Sequence, residues 1–214
     1  NVDIVLGDLV FEDNRINAVA IDSGSHTSDI TFGNPDVPYL VIGDLTVEES
    51  ATLTFTPGAC VKFGSAVDVF VYGGLVAQGT SSQPITLTSY RDDDSCVFGD
   101  ATTNDADGAG GTVGVAEDWG GIEIASGALD GLLSLVHVDF LFAGVDSYGV
   151  DAPIVLDPTA NPEISEVSFE ECVPNAVLLS SGTFDSDIRL GAIGGLSYML
   201  VDDLTVAPSA TLTI

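Results

Sequence analysis

The residues best equipped for chemistry lie between Ser89 and Trp119. This stretch holds Asp92, Asp93, Asp94, Asp100, Asp105, Asp107, Glu117 and Asp118. Within it, Asn104-Asp105-Ala106-Asp107-Gly108 alternates carboxylates and ends on a turn glycine, the pattern of loops that wrap oxygen ligands around calcium. The bidentate Glu expected further along such a loop is missing. Asp100, Asp105 and Asp107 are the candidate calcium ligands, set against the plainer reading of a solvated acidic loop.

Other groups offer less. Arg91, next to Asp92-Asp93-Asp94, is the nearest approach to a cation beside carboxylates and reads as a solvated loop charge. His137 sits in Val136-His137-Val138-Asp139, where alternation turns it outward, and His26 falls in a turn. Nothing has the arrangement of a Ser/His/Asp or Cys/His set. Cys60 and Cys96 can pair in an oxidising compartment and leave Cys172 odd; three isolated thiols is the plainer reading, and their spacing suits no metal.

Charge narrows the partners. There are 33 acidic residues against four basic ones, Arg15, Lys62, Arg91 and Arg189, scattered along the chain. A formal net charge of −29 repels nucleic acid and anionic membranes and attracts cations. No apolar run reaches the roughly 18 residues of a membrane span, and Asn1-Val2-Asp3-Ile4 does not open a signal peptide. Neither nucleic acid binding nor membrane insertion is expected.

The elements that must position these groups are strands. Apolar residues recur at every second position in Tyr39-Val41, Leu45-Val47, Leu53-Phe55, Val61-Phe63, Val69-Val71, Leu75-Ala77, Ile85-Leu87, Ile122-Ile124, Ile188-Leu190 and Leu204-Val206, and through Val136, Val138, Phe140 and Phe142. Turns such as Thr56-Pro57-Gly58 separate them, and no helical window stands out. The fold class is all-β.

An internal repeat decides between a sandwich and a solenoid. Residues 11–33 recur at 169–191, offset by 158, and residues 39–55 recur at 198–214, offset by 159; 21 of the 40 aligned positions are identical. Ile214 corresponds to Phe55, in mid-pattern. This predicts a solenoid of one 159-residue repeat plus about a third of the next, in which the two copies form equivalent coils along one axis.

The order of segments also resembles a known family. It runs from Tyr39-Leu-Val-Ile-Gly-Asp-Leu-Thr-Val47 through Ala51-Thr-Leu-Thr-Phe-Thr-Pro-Gly58 and Val61-Lys-Phe63. It continues with Val69-Phe-Val-Tyr-Gly-Gly-Leu-Val-Ala-Gln-Gly79, Pro84-Ile-Thr-Leu-Thr-Ser89, Trp119-Gly-Gly-Ile122 and Val136-His-Val-Asp-Phe-Leu-Phe-Ala-Gly144. This is similar to the secreted right-handed parallel β-helix repeat proteins of bacteria and archaea. The resemblance implies a single right-handed parallel β-helix (a β-solenoid) over 1–214, with 89–119 as an acidic excursion, outside the cell or on its surface. Val69, Val71, Leu75, Ala77, Ile122 and Ile124 would stack inward, and Gly73-Gly74 would make a tight bend. At about 22 residues per coil, one repeat makes about seven coils, or ~33 Å of rise. Pectate lyases and polygalacturonases share the architecture, but their basic and Gly-His-Gly motifs are missing here. The expected role is structural and non-catalytic, a segment of a tandem-repeat protein or a subunit stacked end to end on copies of itself. The alternative is an adhesin or carbohydrate-binding module acting on polysaccharide. A polysaccharide lyase or hydrolase ranks below both, and an Asp/Arg/Lys cluster on one face would favour it.

Overall fold

A computed structural model describes residues 14–33, 38–96, 105–144, 152–191 and 195–214. Its first strands are β1 (Val19–Ile21), β2 (Gly24–His26), β3 (Ile30–Phe32), β4 (Tyr39–Val41), β5 (Leu45–Val47), β6 (Thr52–Phe55), β7 (Cys60–Phe63), β8 (Val69–Val71), β9 (Gly74–Gln78) and β10 (Ile85–Ser89). After the acidic stretch come β11 (Ile122–Ile124), β12 (Leu133–Leu141), β13 (Ile154–Leu156), β14 (Glu163–Glu170) and β15 (Ala176–Leu179). The last are β16 (Gly182–Phe184), β17 (Ile188–Arg189), β18 (Ser197–Leu200), β19 (Leu204–Val206) and β20 (Leu212–Thr213).

Every ladder between these strands is parallel. The early strands pair three elements apart, as β1-β4-β7-β10, β2-β5-β8-β11 and β3-β6-β9. The chain thus visits three faces in turn and returns to the first, completing one circuit. Each circuit stacks on the last, because a parallel ladder satisfies backbone groups only if the chain comes back in the same direction. From Val19 to its partner Tyr39 the return takes 20 residues, from Tyr39 to Val61 22, and from Leu87 to Phe140, across the acidic stretch, 53.

Inward side chains fill the space between the faces. Val69, Val71, Leu75, Ala77, Ile122 and Ile124 are fully buried, as alternation requires. Each contributes up to about 1.5–3 kcal/mol, the smaller Ala77 less. Phe63, Trp119 and Phe140 form an aromatic stack with ring centroids 4.2 and 6.3 Å apart, and the Trp119 indole N–H donates to the Leu141 carbonyl at 2.8 Å. At the bend between β8 and β9, a Cβ on Gly73 would lie 2.1 Å from the Ala51 carbonyl oxygen, so only glycine allows that approach.

Two details of the alternation differ from expectation. β12 joins two faces: its first half pairs with β9 and its second with β10. The corner is His137, at φ +51°, and Glu166 takes the matching position in β14 at φ +52°. That corner slips the alternation by one residue, so Leu133 and Leu135 point inward, then Val138 and Phe140, while Val136 is half-buried. His137 is therefore a half-buried corner residue rather than an outward one on a flat strand. His26 ends strand β2, paired with Val47, instead of lying in a turn.

The repeat is visible in the ladders. Val19 pairs with Tyr39, Gly24 with Leu45 and Ile30 with Leu53; the corresponding Val177 pairs with Tyr198, Gly182 with Leu204 and Ile188 with Leu212. Side-chain bonds recur too: Asp29 Oδ1 accepts from the Thr52 N–H at 2.9 Å, and Asp187 Oδ1 from the Thr211 N–H at 2.7 Å. Yet the copies occupy different sheets. β1 and β4 lie in the sheet with β7 and β10, whereas their counterparts β15 and β18 continue the column β2-β5-β8-β11-β13. Down that column β2 is the first strand and β15 the sixth. One repeat therefore carries the chain through five circuits and one further face, in place of the seven circuits expected. Two features lengthen the average: the 53-residue return across the acidic stretch and the 32 residues between Ile122 and Ile154.

Candidate functional site

The described residues of the acidic stretch, 90–96 and 105–118, pack on the outside of the first face. In β7, Val61 and Phe63 point to the core, so Cys60 and Lys62 point away from it. All four are buried, because the stretch after β10 folds back over this surface. Cys96 reaches Cys60 in a disulfide with Cα atoms 6.0 Å apart. The reading of three isolated thiols is corrected: alternation puts Cys60 on the outer side, where only the returning loop can meet it. A bridge spanning 36 residues is worth about 3–4 kcal/mol. Cys172 stays a free, buried thiol.

The neck of the loop is closed by Asp118, which accepts from the Ser89 hydroxyl at 2.7 Å and from the Val115 N–H at 3.0 Å. Arg91 pairs with Asp118 at 3.2 Å and lies 5.3 Å from the Tyr90 ring centre, on the solvent side. It is an exposed loop charge, as the sequence suggests, but a paired one.

Beneath the loop lies the charged centre. Lys62 is completely buried; its Nζ donates to the Asp92 carbonyl at 2.6 Å and stands 3.8 Å from Asp93 Oδ1. Asp92 is occupied by local bonds, accepting from the Thr88 hydroxyl at 2.6 Å and from the N–H groups of Asp94 and Ser95, both at 3.1 Å. Asp93 Oδ2 accepts from the Thr112 N–H at 2.9 Å and its hydroxyl at 3.3 Å. Asp105 Oδ1 accepts from the N–H groups of Asp107 and Gly108, and Asp107 accepts from the Ala109 N–H at 2.7 Å and the Thr112 hydroxyl at 2.8 Å.

Lys62, Asp93 and Asp107 are shifted from their ordinary ranges. Burial pulls the Lys62 ammonium below its ordinary range, against the attraction of Asp93 and Asp92. Burial pushes the Asp93 carboxyl up, against the Thr112 N–H and Lys62. Burial also works to raise Asp107, but hydrogen bonds from Ala109 and Thr112 outweigh it and hold that carboxyl low.

The structure thus brings together two of the three candidate ligands. Carboxylate oxygens of Asp105, Asp107 and Asp93 lie within 4.8 Å of one another. Asp93 is the member the sequence reading missed, hidden in a run of three aspartates; Asp100 lies outside the described residues. Three of the four basic residues also converge rather than scatter, while Arg189 lies in β17. Lys62 and Arg91 meet the loop, and the Arg15 side chain lies against Gly108, where a Cβ would be 2.6 Å from its Nε. The Asn17 N–H donates to the Asp105 carbonyl at 2.8 Å, tying the first described segment to the same place.

No family model, curated protein or solved structure matches the chain.

Proposed function

We propose that the chain is a structural segment of an extracellular or cell-surface right-handed parallel β-helix, assembled from copies of the 159-residue repeat, and that it is not an enzyme. The observation that carries this reading is the matched register of the two copies: three ladders and the Asp29 and Asp187 bonds recur one repeat apart. A unit that rebuilds its own ladder can be added to itself, covalently or by stacking, because each circuit needs only its neighbours. Since one repeat ends a face further round, the acidic loops of successive copies would emerge from successive faces and return after three. Their charge would hold neighbouring rods apart.

The cluster of Asp, Arg and Lys is what a polysaccharide lyase would require, yet its lysine is sealed. Lys62 has no exposed surface, so it cannot reach a proton on a polymer chain. Arg91 is engaged by Asp118.

Calcium belongs to the same proposal. Three carboxylates gathered within 4.8 Å offer hard oxygen donors of the kind that suit calcium. Asp105 and Asp107, with Asp93, would hold it. Millimolar calcium should then raise the melting temperature by more than sodium chloride of equal ionic strength. A site of about 10–100 μM affinity adds about 1.5–3 kcal/mol. Equal shifts in both salts would leave charge screening alone.

The structural role is tested by negative-stain imaging of the native assembly. Rods of one uniform width support it; isolated globular particles contradict it.

A further inference from the structure

Lys62 is a buried primary amine that the structural role does not use. A lysine so fully enclosed is costly as an ammonium ion, and Asp93, 4% exposed, is costly as a carboxylate. Both groups are enclosed and stand 3.8 Å apart, the proximity that amide formation uses. The geometry holds them together: the 2.6 Å hydrogen bond to the Asp92 carbonyl fixes Nζ beside the Asp93 carboxyl group. Asp92 itself is held on both oxygens by Thr88, Asp94 and Ser95, turned to its own turn.

We propose that Lys62 and Asp93 form an intramolecular isopeptide bond between Nζ and Cγ. The ammonium proton passes to the carboxylate, and the amine nitrogen then adds to Cγ. The Cγ–Oδ1 bond, on the side facing Nζ at 3.8 Å, breaks; Oδ1 leaves as water with its acid proton and one amine proton. Oδ2 remains as the amide oxygen. It already accepts from the Thr112 N–H and hydroxyl, donors placed to hold the negative charge that develops on this oxygen during addition. The step needs no oxidant and no second substrate. Its product ties β7 to the base of the loop two residues from the Cys60–Cys96 bridge, a cross-link that reduction would not open.

The test is the intact mass of the full chain after reduction and denaturation. The expected mass is one water below that of the sequence, and digestion should release a branched peptide joining the segments around Lys62 and Asp93. K62R and D93A should each have the full sequence mass. A native chain at full mass overturns the proposal. So does a lost water that maps to a cyclic imide at Asp107-Gly108. Neither result bears on rod formation. The bond would turn the Asp93 carboxylate into an amide oxygen and leave calcium the carboxylates of Asp105 and Asp107, so the calcium shift is read on a preparation whose mass is known, and the proposals fail separately. Should either variant fold poorly, the native mass and the peptide map still decide.

Discussion

Residues 19–55 and 177–214 share sequence, strand order and ladder register, yet they are buried very differently. Leu45, Val47 and Leu53 of the first copy are completely buried. Their counterparts Leu204 and Leu212 are half-buried, and Val206 is 42% exposed. β4, β5 and β6 each have a ladder on both sides, whereas β18, β19 and β20 each have one among the described strands. Alternation therefore decides which side chain faces the axis, but the next circuit decides how much water it loses. Local structure is a property of the repeat; stability is a property of the stack.

The largest expected effect follows directly. Leu53→Ala should cost about 2–5 kcal/mol in denaturant unfolding, because it opens a cavity beneath further circuits. Leu212→Ala, at the matching position, should cost well under half as much. Equal losses would break the comparison.

The next concerns a strand position level with inward side chains where the copies differ in chemistry. Phe184 is 1% exposed, while its counterpart His26 has an Nε2 shut from solvent with no hydrogen-bond partner among the described residues. His26→Phe, borrowing the residue of the second copy, should stabilise by about 1 kcal/mol, because an unsatisfied polar atom is replaced by an apolar ring. A drop in the midpoint would show that the first copy cannot accept the ring.

Asp29 and Asp187 make the same bond in both copies. Asp29→Ala and Asp187→Ala should each cost about 1 kcal/mol, as both bonds are exposed and each joins one circuit to the next. A large difference between them would mean that the bond's worth depends on how many circuits lie beyond it.

A fourth outcome concerns reactivity rather than stability. Cys172 stands where the first copy has the exposed Asn14, and burial raises its thiol to about 11. Its folded value lies above its ordinary 9.0, so its contribution to stability is present below that value and lost as pH rises through about 11. At pH 8 the native thiol should resist alkylation and become labelled only as the chain unfolds. Rapid labelling of the native chain would contradict its placement.

Much of the fold was legible because alternation and turn residues are local. Val69, Val71, Leu75, Ala77, Ile122 and Ile124 are buried for the reason their spacing suggests. The corner at His137 was not legible, since a left-handed residue in a β-branched run leaves no compositional mark. The number of circuits was hidden for another reason: a repeat length fixes how far the sequence goes before it recurs, not how the loops within it are spent. At the site, Asp105 and Asp107 announced themselves by spacing. Asp93, Lys62 and the Cys60 pairing did not, because their meeting depends on the outer side of β7 being covered by residues some thirty positions later. Cys60 and Lys62 at alternate positions of one strand, before a long acidic return, were the available signal.

The central claim is that the second copy begins one face further round than the first. Paired cysteines test it most directly, because a disulfide forms only when Cα atoms come within about 4.4–6.8 Å. Val155 and Leu178 are ladder partners in β13 and β15. If instead β15 kept the face of its counterpart β1, Leu178, which matches Ala20, would lie beside Glu170 of β14, the strand that continues that face through β12. The chain carrying Val155→Cys and Leu178→Cys should oxidise to a cross-linked form while the chain carrying Glu170→Cys and Leu178→Cys remains reduced; cross-linking of the second pair and not the first would contradict the account.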